Sequence, residues 1–366
     1  MRTPIYAPLL VLLAVASAAS CQTPPPQTAS APASRPAVHY NLERAAADGW
    51  AKMPDEWFRS DEAGTFARNT LAWQLPDGGW PKRPRMHLEG PDPTTAPARR
   101  GSFDNGTTLS QMRFLGNRVR VTGDAGCHEG FVRGIDFMLA AQMPCGGWPQ
   151  EYPEPHGYHA LITYNDGAMI GVMSVLRDVA TGKYPFVDAE RVERCRQAVE
   201  RGVECILKTQ VTVDGRLTVW GQQHDPNTLA PAKARAFELA YLSAAESSTV
   251  VSFLVELDTP SPEVRRAIHS AIAWMKEYAL SGLRYDTWQE DSAVVADPSA
   301  EPLWGRFYDP ATGKPMFVGR DSVPKDRLDQ IERERRAEYA WYGHWPARAI
   351  KRYEAWCAKN GERPVD

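Results

Sequence analysis

Several function classes are excluded by what the sequence has little of. Its 366 residues carry a formal net charge of only -3, with 42 Lys and Arg against 45 Asp and Glu. A general nucleic-acid binder would show a strong basic excess, so none is expected as a partner. Any grip on an anionic ligand must come from a local cluster of charge. Cysteine is sparse, six in all, and none has zinc-finger spacing. No EF-hand loop is present. Strand signal is thin, and no apolar run is long enough to span a bilayer.

What is present reads as an exported, mainly helical protein. Arg2 precedes an apolar run from Leu9 to Ala19, the pattern of a signal segment over residues 1–20. Ala18-Ala19-Ser20-Cys21 resembles a bacterial lipobox, with ordinary cleavage nearby as the alternative. A lipid on Cys21 would tether the chain to a membrane without spanning it. Gln22, rather than Asp, follows the cysteine, which favours the outer membrane over the inner. Residues 21–37 are rich in Pro, Ala, Ser and Thr and read as a tether. The folded region is expected over 38–366, as one large domain or two modest ones. Cys127 with Cys145 could bridge a helical hairpin, whereas Cys195 and Cys205 are too far apart along one helix. Most cysteines read as buried small hydrophobes.

Apolar residues make up 43%, enough for a sizeable core. Phe131, Ile135, Met138 and Leu139 fall on one helical face. Residues 165–179 are apolar on most sides and predict a nearly buried helix. Val192, Cys195, Val199, Val203 and Ile206 make another stripe. Long helices are expected over 234–257 and 263–279, separated by Pro260 and Pro262, and a last one over 345–358. Residues 210–220 predict a small hairpin around Asp214-Gly215, and 283–288 a short strand. Gly78-Gly79-Trp80-Pro81 is echoed by Gly146-Gly147-Trp148-Pro149. Both look like helix ends turning into extended chain, and such recurrence suggests an α/α toroid with long loops. The loops at 81–103, 152–164 and 294–326 adjoin the polar motifs.

Four motifs could carry chemistry. Asp104-Asn105-Gly106 and Asn165-Asp166-Gly167 each join a long loop to a helix. Either pair could be a helix cap. Together they could form one oxygen-rich site of the kind calcium prefers. Lys233 and Arg235 stand near an expected helix N-terminus, the wrong end of the dipole for cations unless an anion is nearby. Pairing of these cations with Glu238 is the plainer alternative. Arg306 lies among Trp304, Phe307 and Tyr308, with Arg320 beyond. This suits carboxylate clamping beside a stacked sugar, or an arginine bracing a loop.

These motifs, in this order, resemble the family 10 polysaccharide lyases, pectate lyases with a toroid-like helical fold. The resemblance rests on 163–169, 223–238 and 304–320, with support from 145–153 and 339–343, and spans about 61–359. It implies that Asp104 and Asp166 hold calcium together with a substrate carboxylate. It implies that Asn105 positions the sugar, that Arg235 abstracts the C5 proton of galacturonate, and that Arg306, Arg320 and Lys233 bind uronate carboxylates. Polygalacturonate or a pectic oligosaccharide is the implied partner, acted on by a monomer. The residues alone also admit a toroid glycoside hydrolase using Asp104 and Asp166, or a non-catalytic polysaccharide-binding protein.

Overall fold

The computed structural model describes residues 53–365 apart from 84, 95–99 and 288–290. The signal segment, the Cys21 lipobox and the tether lie outside the described residues. Eight helices build the frame: α1 (Asp61–Ala72), α2 (Leu109–Thr122), α3 (Ala125–Ala140), α4 (Ala168–Ala180), α5 (Ala189–Thr209), α6 (Ala244–Leu254), α7 (Pro262–Glu277) and α8 (Trp345–Asn360). They form two layers. The odd-numbered helices pack in series, α1 on α3, α3 on α5 and α5 on α7. The even-numbered ones do the same, α2 on α4, α4 on α6 and α6 on α8. The odd layer is the outer one: α5, for example, buries one stripe through Cys195, Val199, Cys205 and Ile206 and leaves charged residues outside. The even layer is inner, with nearly every residue of α6 buried. This is the expected helical toroid. None of the described helices is long and apolar enough to cross a membrane.

The Gly-Gly-Trp echo marks a repeat that occurs four times. Each passage from an outer to an inner helix carries a buried tryptophan: Trp80, Trp148, Trp220 and Trp304. Their indole N–H groups donate to the carbonyls of Thr70, Met138, Ile206 and Met275, at 2.8, 2.8, 2.8 and 2.7 Å. Those carbonyls lie in the last turns of α1, α3, α5 and α7, where intrahelical partners run out. The last two copies lack the Gly-Gly signature because a hairpin stands between helix and tryptophan. These hairpins pair Thr212–Val213 with Arg216–Leu217, and Leu283–Thr287 with Ser292–Ala296. In the first two copies glycine is obligatory. Gly78 and Gly146 have φ of 97° and 90°. A Cβ there would stand 2.2 and 2.3 Å from the carbonyl oxygens of Arg133 and Arg201 on the next outer helix.

One expectation changes. The helix expected over 234–257 begins only at Ala244. Residues 232–243 instead run in irregular and extended chain. The Ala232 N–H donates to the Gln223 carbonyl at 2.9 Å, and Leu242–Ser243 pairs with Phe307–Tyr308. Phe237 is buried in a second small core with Phe307, Phe317 and Trp341, so tertiary burial overrides the helical pattern. Lys233 and Arg235 therefore stand on no helix N-terminus, and the dipole argument for them falls. All five described cysteines are free and four are buried, as the small-hydrophobe reading expected, so the possible bridge from Cys127 to Cys145 is not formed.

Candidate functional site

The starts of the two helix layers differ in chemistry. Every outer helix has a side-chain cap. Ser60, Asp124, Asp188 and Ser261 accept from the N–H groups of Ala63, Cys127, Arg191 and Val264. No inner helix does: the residues before α2, α4, α6 and α8 are Thr108, Gly167, Ser243 and His344, without a side-chain cap hydrogen bond. Uncapped N-termini favour anions nearby. The polar motifs gather at these starts.

Asp104 and Asn105 lie in a single turn, Asp104–Gly106, and Asn165 and Asp166 in a matching turn, Asn165–Gly167. The two turns pack against each other. Asn105 and Asp166 occupy the same place in them, each with φ of 51°. That left-handed conformation suits few residues besides glycine, asparagine and aspartate. Neither carboxylate caps its helix, so the capping alternative fails for both.

The partners of the turns differ. Asn165 is buried, and its Oδ1 accepts from Gln222 Nε2 at 2.8 Å and Arg306 Nη2 at 3.4 Å. Asp104 is 7% exposed. One of its oxygens is ion-paired with Lys82, and Oδ1 is buried with no hydrogen-bond partner. Asp166 reaches solvent but is crowded by the walls of the site. Desolvation is the main cause that pushes its carboxyl up to about 6, and Asp104 and Glu246 add to it against the opposite pull of Arg306 and Arg235.

Beside the turns stand the cations of the site. Arg306 is mostly buried, ion-paired with Glu246 in the first turn of α6, and 4.8 Å from the Tyr339 ring. Its burial opposes the charge, but Glu246, Tyr339 and Asp166 outweigh this and hold the guanidinium above its ordinary value. Arg235 Nε donates to Glu238 Oε2 at 2.6 Å, Nη2 binds the other oxygen, and the guanidinium lies 4.9 Å over Phe237. Burial again opposes the charge, and Glu238 more than offsets it, raising the guanidinium. The plainer sequence alternative, pairing with Glu238, is thus what Arg235 does in the free chain. Lys233 and Arg320 stand at the exposed rim. Lys233 Nζ donates to Ser322 Oγ at 3.2 Å, and Arg320 Nη2 donates to Glu334 at 2.7 Å.

Asp104, Asn105, Asp166, Arg235 and Arg306 therefore come together, with Lys233 and Arg320 outside them. Sequence reasoning missed Lys82, Gln222, Glu246 and Tyr339. Tyr339 ties both arginines to the site: its hydroxyl donates to Glu238 at 3.0 Å and accepts from Gln222 Nε2 at 3.1 Å. Glu246 had a signal: it is the one charged residue in the helical stretch 244–254. Lys82 had none beyond its place after Trp80-Pro81.

Among the described residues no three His, Cys, Asp or Glu side chains cluster to hold a metal. The two carboxylates still fit a hard cation that completes its shell from elsewhere. Both are oxygen donors, one has a buried orphan oxygen, and the other stands beside a like charge. A site like this suits an anionic ligand that brings its own oxygens.

The comparisons with known proteins point the same way. No curated protein matches the chain. Two solved structures of a family 10 polysaccharide lyase from Cellvibrio cellulosa do, each 29% identical. One, a mutant in complex with trigalacturonic acid, has a TM-score of 0.75 over 82% of this chain and 97% of its own. The other has a TM-score of 0.74 over 84% and 96%. The family model described as pectic acid lyase matches residues 74–350, which include all four motifs and all four tryptophan turns. The chain belongs to the pectic acid lyase family and is a polysaccharide lyase.

Proposed function

We propose that the chain is an exported pectate lyase that cleaves polygalacturonate by calcium-assisted anti β-elimination, with Arg235 as base. The observation that carries this reading is the juxtaposition of two packed acidic turns, bearing Asp104 and Asp166, with the guanidiniums of Arg306 and Arg235 that act on Asp166. Such a site matches a reaction that develops negative charge on a sugar carboxylate.

In the proposed step Arg235 takes the proton from C5. The electron pair of that bond becomes the C4–C5 double bond, the C4–O4 bond breaks, and the departing oxygen takes a proton from solvent. Charge grows on the C5 carboxylate as the proton leaves. Arg306, preorganised by Glu246 and Tyr339, stabilises that charge in a partly water-excluded setting. Asn105, held in its left-handed turn, positions the sugar, and Lys233 and Arg320 receive neighbouring uronates at the rim. Asp104 and Asp166 would hold calcium, which supplies Lewis-acid stabilisation of the same carboxylate. Lys82 would release Asp104 when the cation arrives.

A guanidinium is a poor base while protonated, and Glu238 makes Arg235 harder to deprotonate. The rate should therefore climb into the alkaline range. Glu238→Gln removes the charge that raises Arg235 and should move the climb to lower pH. The decisive assay follows ultraviolet-absorbing unsaturated product from polygalacturonate, with and without a calcium chelator. Arg235→Ala should lower turnover by roughly 10²–10⁴-fold while the chain stays folded. Retained turnover in that variant, or a profile that is flat or falling from neutral pH upward, would remove Arg235 as base.

We also propose attachment to the outer membrane through a lipid on Cys21, with the catalytic region acting as a monomer. Lipid labelling lost in Cys21→Ala would support the anchor, and light scattering reads the oligomeric state.

A further inference from the structure

A large cavity is walled by the inner helices, and neither acidic turn lines it. Its volume is about 690 Å³, and α2, α4, α6 and α8 all contribute to its wall. Arg113, Arg177, Lys183, Arg348 and Arg352 line it against only two carboxylates, Asp178 and Glu256. On a chain of net charge -3 this is a local cationic excess, and a recessed cluster of one sign focuses field on an anion.

The pairing inside the cavity is unbalanced. Glu256 serves two guanidiniums at once, accepting from Arg177 Nη2 at 2.7 Å and Arg352 Nη1 at 2.6 Å. One carboxylate against two guanidiniums leaves unit charge uncompensated. Arg177 Nη1 is buried with no hydrogen-bond partner, a cost that a bound anion would remove. Arg177 also lies 5.0 Å over the Phe253 ring.

The cavity adjoins the lyase site. Trp345, the first residue of α8, lines the cavity. The guanidinium of Arg306 stands 6.0 Å from the same ring. From Trp345 the lining residues Arg348 and Arg352 follow along one face of α8 over about 10 Å. An aromatic face followed by spaced guanidiniums suits a sugar chain bearing repeated carboxylates.

We propose that this cavity is a second binding site for anionic saccharide, taking the part of a polyuronate chain that continues past Arg306. The proposal rests on polyuronate being the substrate. It makes the enzyme favour polymer over short oligomers, because only a long chain occupies both places.

The test compares galacturonate trimer with polygalacturonate on wild type and on the Arg348→Glu, Arg352→Glu double variant. Expected is a KM for polymer raised by about tenfold or more, equivalent to about 1.4 kcal/mol. The kcat should be retained, and the trimer parameters should stay within twofold. Equal parameters on polymer for wild type and variant would overturn the proposal. Arg352 also braces α6 through Glu256, so Arg348→Glu alone is measured beside it, with circular dichroism to confirm folding. If wild type cleaves neither substrate, the lyase reading fails by itself. Titration calorimetry of polygalacturonate in chelator then still decides the cavity: binding weakened in the Arg348→Glu variant supports it, and unchanged binding overturns it.

Discussion

The outer and inner helices of this toroid begin in opposite ways. Outer helices close their N-termini with their own side chains, Ser60, Asp124, Asp188 and Ser261. Inner helices leave theirs uncapped, although Asp104, Asn105, Asn165 and Asp166 stand within a few residues. The same residue types therefore do two jobs. In the outer layer a carboxylate or hydroxyl satisfies the backbone and stabilises the fold. In the inner layer the carboxylates turn away from the backbone, hold left-handed or desolvated positions, and remain available to a ligand. The backbone-satisfying caps and the chemistry are thus placed at the starts of different helix layers.

That contrast can be broken most sharply at Asp166. Asp166→Asn should reduce turnover by roughly 10²–10³-fold, the scale of losing one charge aimed at the transition state. Its unfolding midpoint at pH 7 should hold or rise, because the folded site penalises the ionised carboxyl. A large fall in stability would place Asp166 with the structural caps.

Acidification should expose the same difference. The Asp166 carboxyl, pushed up to about 6, must lose its proton before a cation binds. Calcium affinity, read by calorimetry, should fall by up to about tenfold per pH unit below 6. Because the folded value lies above the unfolded one, this group adds stability as pH falls through 6, and the addition is complete below the unfolded value of 3.8. Loss of cation binding near pH 5 is therefore expected in a folded chain. Constant affinity between pH 5 and 7 would contradict the assignment.

Removing an outer cap should do the reverse. Ser60→Ala and Asp188→Ala should each cost about 1 kcal/mol of stability in denaturant titration. Neither should change kcat/KM. A cap variant that loses activity without losing stability would erase the division between the layers.

The smallest effect is expected at Lys82. Its side chain is half exposed, so its pairing with Asp104 is worth less than about 1 kcal/mol. Lys82→Ala should tighten calcium binding by only about two- to fivefold. Weaker binding would mean that Lys82 supports the cation site rather than guarding it.

Much of the frame was legible from local signals. The stripes at Phe131–Leu139 and Val192–Ile206 fall inside α3 and α5. The hairpin at 210–220, the strand at 283–287 and the last helix lie close to where pattern and turn chemistry put them, whereas the strand's partner, Ser292–Ala296, was not foreseen. The Gly-Gly-Trp echo pointed to a repeated unit because glycine is forced wherever a Cβ would strike the next outer helix. The other two copies were not legible, since a hairpin replaces the glycines and only the indole hydrogen bond survives. The helix expected from Ala234 failed because Phe237 packs into a core assembled from residues far along the chain.

The candidate site divides along the same line. Sequence alone determined the helical class and the two acid-bearing turns. With the family resemblance, it also determined which aspartates and arginines to watch. These follow from periodicity, turn chemistry and motif order, all local along the chain. Only the tertiary structure decided that the aspartates do not cap their helices, that Glu238 holds Arg235, and that Lys82, Glu246 and Tyr339 complete the site. Those facts depend on contacts between residues more than 100 positions apart, as with Tyr339 and both Glu238 and Gln222. Desolvation and charge pairing exist only once the layers have closed around them.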